Sequence, residues 1–370
     1  MFRYPVYQPF LNGNEKKYVN ECLDSTWISS KGKFISEFED AFKSYIGARH
    51  AATVSNGTVA IHLALLALGI RPEAEVIVPT LTYIASVNAI AYTGATPVFC
   101  DSLEKTWQMD PEDVRRKITP RTRAILAVHL YGQPCEMDEL VKIAREHDLF
   151  LVEDCAEAFG TLYRGRHVGT FGDIGTFSFF GNKTITTGEG GMVVTNDDTL
   201  HDRMTHFKGQ GLAKYREYWH DVIGYNYRMT NICAAIGLAQ LEQADALIAK
   251  KLQIAAWYQR NLDGCPITFH KAVGDVRHSY WMVSILVPEA ADREPLRDAL
   301  RARGIETRPL FYPVHSMPMY SSRYQRHPVA EDLGWRGINL PSYPGLDEES
   351  VNEICAVIRT YFSSGTDSKV

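Results

Sequence analysis

The sequence predicts an α/β fold: a larger domain on a mostly parallel central sheet covered by helices, then a smaller C-terminal α/β domain. Three observations predict it. Between about residue 50 and residue 200, short apolar runs of strand length alternate with segments whose apolar residues recur at helical spacing, which is the pattern of strands joined by crossover helices. The chain has 370 residues, long for one small domain and suited to two domains sharing a cleft. After the segment around residues 221–231 the alternation gives way to a long helical stretch, so the boundary is drawn near residue 245. Residues 1–245 then form the large domain and residues 246–370 the small one.

In order, the expected strands are EVIVP (75–79), TPVFC (96–100), AILAVH (124–129), LFLVED (149–154), TFSFF (176–180) and GMVVTN (191–196). Each is a short run rich in β-branched and aromatic residues with a turn signal beside it. TVAIHLALLALG (58–69) and MDELVKIAREHD (137–148) read as helices between them. NICAAIGLAQLEQADALIAKKLQIAAWYQRNL reads as one long helix or two in series, long enough to bridge domains. Beyond it, SYWMVSILVP reads as a strand, PLRDALRARG as a helix ending at Gly304, and VNEICAVIRTYFSS as a final amphipathic helix. The small, polar tail SSGTDSKV is expected to fray.

Composition excludes several classes. A formal charge of -5, from 39 basic and 44 acidic residues, is no footprint for nucleic acid. No apolar run approaches the roughly 20 residues that span a bilayer, and MFRYPVYQPF lacks the charged-then-apolar pattern of a signal peptide. The seven cysteines are scattered without a CxxC pair, so neither a metal site nor a dithiol is expected. A reducing, cytoplasmic setting follows.

Four features of the large domain converge. Ser55-Asn56-Gly57-Thr58 opens a helix, and a helix N-terminus offers unpaired amides and partial positive charge to a phosphate. Gly57 permits close approach and Thr58 adds a hydroxyl; an ordinary N-cap reads the same way. Asp154 ends an apolar strand, where ligands of open α/β sheets sit. A buried acid there needs a cation. A protonated pyridine nitrogen would serve, as would an arginine or a loop amide. Lys183 follows a strand end in SFFGNK, in a neighbourhood with almost no other charge. Desolvation there frees the amine to form a Schiff base. Ser178, five positions earlier, is placed to reach the same phosphate as Thr58, and Gly188-Glu189-Gly190-Gly191 reverses the chain into the next strand. Tyr83, just after EVIVP, offers a ring to stack on a flat heteroaromatic, or is simply core. Phosphate amides, a counterion for a ring nitrogen, an amine and a stacking face are what pyridoxal phosphate requires of a protein.

The order SNGT, TYIAS, EDCAEA, SFFGNKTITTGEGG and GYNYRMT resembles the sugar aminotransferases of the DegT/DnrJ/EryC1/StrS family. That likeness implies the aspartate-aminotransferase-like fold type I of pyridoxal-phosphate enzymes. It extends from VYQP near the start to GWRGINLPSYPGL near the end. It places Lys183 on the Schiff-base lysine, Asp154 on the acid paired with the pyridine nitrogen and Tyr83 on the stacking aromatic. Gly57, Thr58 and Ser178 fall on phosphate-binding positions. Asn226 matches an asparagine that reaches the phosphate from the neighbouring subunit, which implies a homodimer with shared sites. Relatives with histidine in place of the lysine perform deoxygenation; this chain has lysine, the transaminase pattern. The strings STWISSKG, SFFGNKTITTGEGGMVVTN and FYPVHSMPMY resemble the branch that aminates GDP-4-keto-6-deoxymannose with glutamate as donor. A dTDP- or UDP-linked keto sugar is the alternative substrate, and a non-catalytic cofactor-binding homologue the alternative class. Trp27, Ser29, Lys31, Glu157, Tyr312 and His315 are the candidate sugar-nucleotide contacts, each equally readable as local packing or surface charge. Arg228 and Arg308 are the candidates to hold the glutamate carboxylate.

Overall fold

The computed structural model describes residues 2–322 and 324–364, so the tail SSGTDSKV lies outside the described residues from position 365 onward. Two helices precede the first strand: α1 (Glu15–Ser25) and α2 (Lys33–Ile46). In α2 the apolar residues Phe34, Phe38, Phe42 and Ile46 fall four apart and are all buried, so one stripe faces the core. That stripe meets Phe177 and Phe179, with Phe42 5.0 Å and 5.5 Å from their ring centres. Helix α1 and the strand that follows α2 lack a periodic run of the kind that identified the later elements, whereas α2 carries one, its four-residue apolar spacing, which sequence reasoning did not use.

The large domain continues as β1 (His50–Val54), α3 (Gly57–Ala67), β2 (Glu75–Pro79), α4 (Ile84–Tyr92), β3 (Thr96–Cys100), α5 (Pro111–Lys117), β4 (Thr122–Val128), α6 (Met137–Glu146) and β5 (Phe150–Asp154). A short hairpin, β6 (Leu162–Tyr163) and β7 (Arg166–His167), leads to β8 (Ile174–Ser178), β9 (Gly191–Thr195) and α7 (Asp198–Lys208). Seven of these strands form one sheet in the order β1-β9-β8-β5-β4-β2-β3. From β8 to β3 the pairs are parallel, while β9 runs antiparallel to both its neighbours. The sheet is therefore mostly parallel, as the strand–helix alternation predicts. Helix α3 is apolar nearly all round because it is buried on nearly all sides. Helix α6 keeps Leu140, Ile143 and Ala144 inside and its charges outside.

The long helical stretch is two helices in series, α8 (Asn231–Leu241) and α9 (Ala244–Asn261), bent by 63° at the break. Thr230 caps the first by accepting the Cys233 amide. No single helix among the described residues is long and apolar enough to cross a membrane. Helix α9 is the bridge: Leu247 and Ile248 pack in the core of the large domain, whereas Ile254, Ala255 and Tyr258 pack in that of the small one.

The small domain holds β10 (Thr268–Phe269), β11 (Val276–Arg277), β12 (Val283–Leu286), α10 (Ala290–Ala302), β13 (Arg308–Pro309), α11 (Pro328–Arg336), β14 (Gly337–Leu340) and α12 (Glu348–Ser364). An antiparallel sheet, β10-β12-β14-β13, carries its helices, while β11 leaves it to extend the β6–β7 hairpin. The N-terminal residues also belong spatially to this half. Tyr4 pairs with Ile305 and joins the small-domain core, although the sequence boundary assigns residues 1–245 to the large domain.

Candidate active site

Loops leaving the carboxyl ends of β1, β2, β5 and β8 converge on one cleft of about 640 Å³. This is where an open, mostly parallel sheet binds ligands, because the crossover loops splay apart there. The structure brings Gly57, Thr58, Tyr83, Asp154, Glu157, Ser178, Lys183 and Arg308 together around it.

At one end of the cleft, Asn56 caps α3 by accepting the Val59 amide at 3.0 Å. The Gly57 and Thr58 amides find no acceptor among the described residues. Gly57 lies so close to Ser178 that a Cβ on it would come within 2.6 Å of the serine Cβ. Only a glycine lets the helix terminus and the Ser178 hydroxyl share one small space.

At the floor, Asp154 is 3% exposed. It accepts the Ser86 hydroxyl at 2.7 Å and the Ala156 amide at 3.0 Å. Burial pushes its carboxyl above the ordinary range, against the pull of those two donors and of Lys183. A cation placed against it would reverse that balance. Lys183 lies close by, its side chain 13% exposed, with Nζ 4.0 Å from Glu157 Oε1 and 3.9 Å from the centre of the Trp281 ring. Burial pulls the amine down, and Glu157 and Asp154 oppose that pull. Glu157 is pushed up by the same burial. Its other oxygen accepts the Tyr131 amide at 3.0 Å, from a residue held at φ 55 in the left-handed region. Tyr83 is 56% exposed at the cleft wall, its ring 5.5 Å from that of Phe311, so one aromatic face is free for a flat ligand.

Just behind the floor, His129, Glu153 and Cys155 bring ligand-type atoms within 4.8 Å of one another. Their donors and acceptors are already used. Cys135 donates its amide to His129 Nδ1 at 3.1 Å, and Nε2 faces Glu153 Oε2 at 3.1 Å. Glu153 also accepts the amides of Gly169, Phe171 and Gly172 at 2.7, 2.6 and 2.7 Å. The group fastens the strand that carries Asp154.

Two expectations need correction, those for His315 and Tyr312. His315 does not face the cleft: its Nδ1 pairs with Thr80 Oγ1 at 2.7 Å and its Nε2 with Glu331 at 3.3 Å. Tyr312 packs against Trp335 and accepts from Arg293 at 3.1 Å, and the ring from FYPVH that lines the cleft belongs to Phe311. Alternation along an extended segment turned the wrong residues inward. Trp27 and Lys31 line a separate hollow beside Asn231, and Ser29 is tied to the same place by its carbonyl, which accepts the Asn231 amide at 2.6 Å. Asn226 and Arg228 are exposed and sit outside the cleft of their own chain. Sequence reasoning missed Ser86, Tyr7 and Trp281. Ser86 was within reach, in the first turn of α4, three residues past Tyr83 and facing Asp154. Trp281 carried no signal, since it meets Asn182 across 99 positions.

The chain matches the DegT/DnrJ/EryC1/StrS aminotransferase family over residues 9–359. It belongs to that family. Among its relatives, GDP-perosamine synthase of Escherichia coli O157:H7 is 66% identical over 359 residues, covering 97% of this chain and 98% of that protein. GDP-perosamine synthase of Vibrio cholerae is 52% identical over 363 residues, covering 97% and 99%. Among solved structures, the Helicobacter pylori aminotransferase PseC, involved in pseudoaminic acid biosynthesis, superposes with a TM-score of 0.93 at 29% identity, covering 98% of this chain and 99% of that one. The fold is therefore that of the family's pyridoxal-phosphate aminotransferases. The cleft fits the cofactor: open amides stand at one end, a buried acid at the other and an amine between them. Asn182, on its wall, leaves Oδ1 buried without a hydrogen-bond partner among the described residues.

Proposed function

We propose that this chain transfers the amino group of glutamate to the keto carbon of GDP-4-keto-6-deoxymannose, giving 2-oxoglutarate and GDP-perosamine. The observation that carries the transfer chemistry is that Lys183 and Asp154, from adjacent strands, both line one cleft. The two relatives named for this product, at 66% and 52% identity over nearly the whole chain, support the substrate. Bound pyridoxal phosphate supplies the carbonyl that takes up the amino group and a ring that accepts electrons.

The protein's part follows from its own groups. The Gly57 and Thr58 amides and the Ser178 hydroxyl hold the phosphate. Asp154 keeps a proton on the ring nitrogen, each pKa unit of that preference being worth about 1.4 kcal/mol. The Lys183 amine, already disfavoured as ammonium by burial, moves the proton off the donor carbon and later onto the sugar carbon. Glu157, 4.0 Å from Nζ, stands where it meets either that amine or the sugar. Arg308, at the cleft wall, is the better placed of the two arginines to hold the donor carboxylate. A dehydratase or decarboxylase on the same cofactor is separated by incubation with glutamate alone. Only a transaminase accumulates pyridoxamine phosphate and 2-oxoglutarate.

The nucleotide is tested by comparing kcat/KM for GDP- and dTDP-linked 4-keto sugars. GDP is expected to win clearly, because an unmatched base leaves buried polar groups unpaired. Equal or better use of the dTDP sugar defeats the GDP assignment while leaving the aminotransferase untouched.

The proposed assembly is a homodimer in which Asn226 reaches the partner's cofactor phosphate. The Asn226 backbone is fixed by its bridge to Gly209, while its side chain is exposed and accepts only from Arg228, at 3.4 Å, among the described residues. The loop that ends there carries Tyr215, Tyr218 and Ile223 at 73%, 93% and 87% exposure, an apolar patch that a second copy would cover. Asn231 holds the Trp27 and Ser29 carbonyls at 2.7 and 2.6 Å, beside a hollow outside the chain's own cleft. Trp27, Ser29 and Lys31, which lie away from their own cleft, are proposed as contacts to a partner's cleft in the same dimer. Mixing Lys183→Ala and Asn226→Ala parents should restore activity, since hybrids place both lesions in one site and leave the other intact. Activities that merely average the two parents mean that each chain builds its own site. Lys31→Ala should raise KM for the sugar nucleotide and spare the glutamate half-reaction. The seven unpaired cysteines fit a reducing compartment, and the cytoplasm is the proposed location.

A further inference from the structure

Lys251, on α9, is a lysine only 1% exposed with no carboxylate partner among the described residues. Its ammonium donates to the carbonyls of Trp281, at 2.8 Å, and of Ser342, and lies 5.0 Å from the centre of the Tyr7 ring. Burying a cation against carbonyls and a ring alone is costly, and an apolar side chain would fill the space without that cost. Burial pulls this amine down to about 7, yet either protonation state retains enough N–H groups for both carbonyls.

What the carbonyls and the ring belong to gives the cost a use. Trp281 lays its ring under the Lys183 amine and donates Nε1 to Asn182 O at 2.7 Å. Tyr7 donates its hydroxyl to Lys183 O at 2.6 Å. Ser342 closes the circuit, donating its amide to Val6 O at 3.1 Å and accepting the Val283 amide on Oγ at 2.8 Å. Both side-chain hydrogen bonds that hold the Asn182–Lys183 backbone thus come from residues that meet on one buried amine.

We propose that Lys251 is a positioning residue that fixes the Lys183 amine in the cleft by clamping Tyr7 and Trp281. This rests on Lys183 being the lysine that carries the cofactor. Borohydride reduction and peptide mapping of the wild-type holoenzyme check that reading first, and a pyridoxyl group on another lysine defeats it independently.

The test compares wild type, Lys251→Met, Tyr7→Phe and the double variant as holoenzymes. Three quantities are read: the pH midpoint of the cofactor's visible absorbance, the rate and KM of the glutamate half-reaction, and Tm. Lys251→Met should move the absorbance midpoint by about half a pH unit or more and slow the half-reaction roughly tenfold or more, with KM for glutamate little changed. Tyr7→Phe should shift both in the same sense, and the double variant should fall short of the sum of the two singles. A merely structural lysine lowers Tm and leaves the midpoint of the folded enzyme in place. An unmoved midpoint and rate in folded Lys251→Met, or strictly additive effects, overturns the proposal. If Lys251→Met does not fold, Tyr7→Phe and Trp281→Phe decide: midpoints unmoved in both mean that Lys251 has nothing to act through.

Discussion

Lys183→Ala is expected to lose turnover by about 10⁴-fold or more while still binding the cofactor. Proton transfer by a placed side chain alone contributes about 10²–10⁴-fold, and here the same amine also serves both halves of the transfer. No other amine described around the cleft can replace it, because Lys183 is its one lysine. The phosphate cradle of Gly57, Thr58 and Ser178 and the acid Asp154 are untouched by the change, so binding survives. The measurements are the cofactor's absorbance in the purified variant and single-turnover conversion of glutamate to 2-oxoglutarate. Borohydride should fix a pyridoxyl group on Lys183 in the wild type and leave none in the variant. Substantial turnover by a well-folded Lys183→Ala protein removes this lysine from the mechanism.

Asp154→Asn should cost roughly 10²–10³-fold in kcat, the scale on which removing one placed electrostatic group acts. The side chain retains its shape and still offers an oxygen to the Ser86 hydroxyl or the Ala156 amide, which now stand at 2.7 and 3.0 Å. It loses the charge that favours a proton on the ring nitrogen. Because burial already pushes the Asp154 carboxyl up, the fold does not depend on its being ionised, and Tm should change little. Steady-state kinetics beside thermal melting separate the two effects. Normal turnover in the folded variant rules the tuning role out.

How much of this was legible in the sequence follows from where the information is local. EVIVP and TPVFC became β2 and β3 with the same bounds, because a buried parallel strand is a short apolar run between turn signals. Lys183 and Asp154 are each marked by a strand end within a few residues, and the Ser55–Thr58 turn by the helix it opens. What stayed hidden depends on distance or on side-chain direction. His315 stands with its FYPVH segment among the candidate sugar-nucleotide contacts, equally readable as local packing; packing is what the fold gives it, its ring spent on Thr80 and Glu331. Phe311 and Tyr312 differ by one position, and only the fold decides which of the two points inward. Helix α1 escaped because it has too little apolar surface to form a stripe: among its residues only Glu15 and Cys22 are buried. Helix α2 was legible in its Phe34, Phe38, Phe42 and Ile46 spacing and was overlooked.

The pairing of the N-terminal residues with the small domain also bears on the order in which the site is completed. Arg3 and Tyr4 donate their amides to Gly304 O at 2.8 and 3.1 Å, and Val6 donates to Glu306 Oε2 at 2.9 Å across 300 positions. On the ribosome these residues emerge long before their partners exist, and contacts of such separation form late because the closing loop is long. Tyr7 cannot take its place over Lys183 until the C-terminal third of the chain has been made. The sheet can form during synthesis, but the lysine is seated only after it.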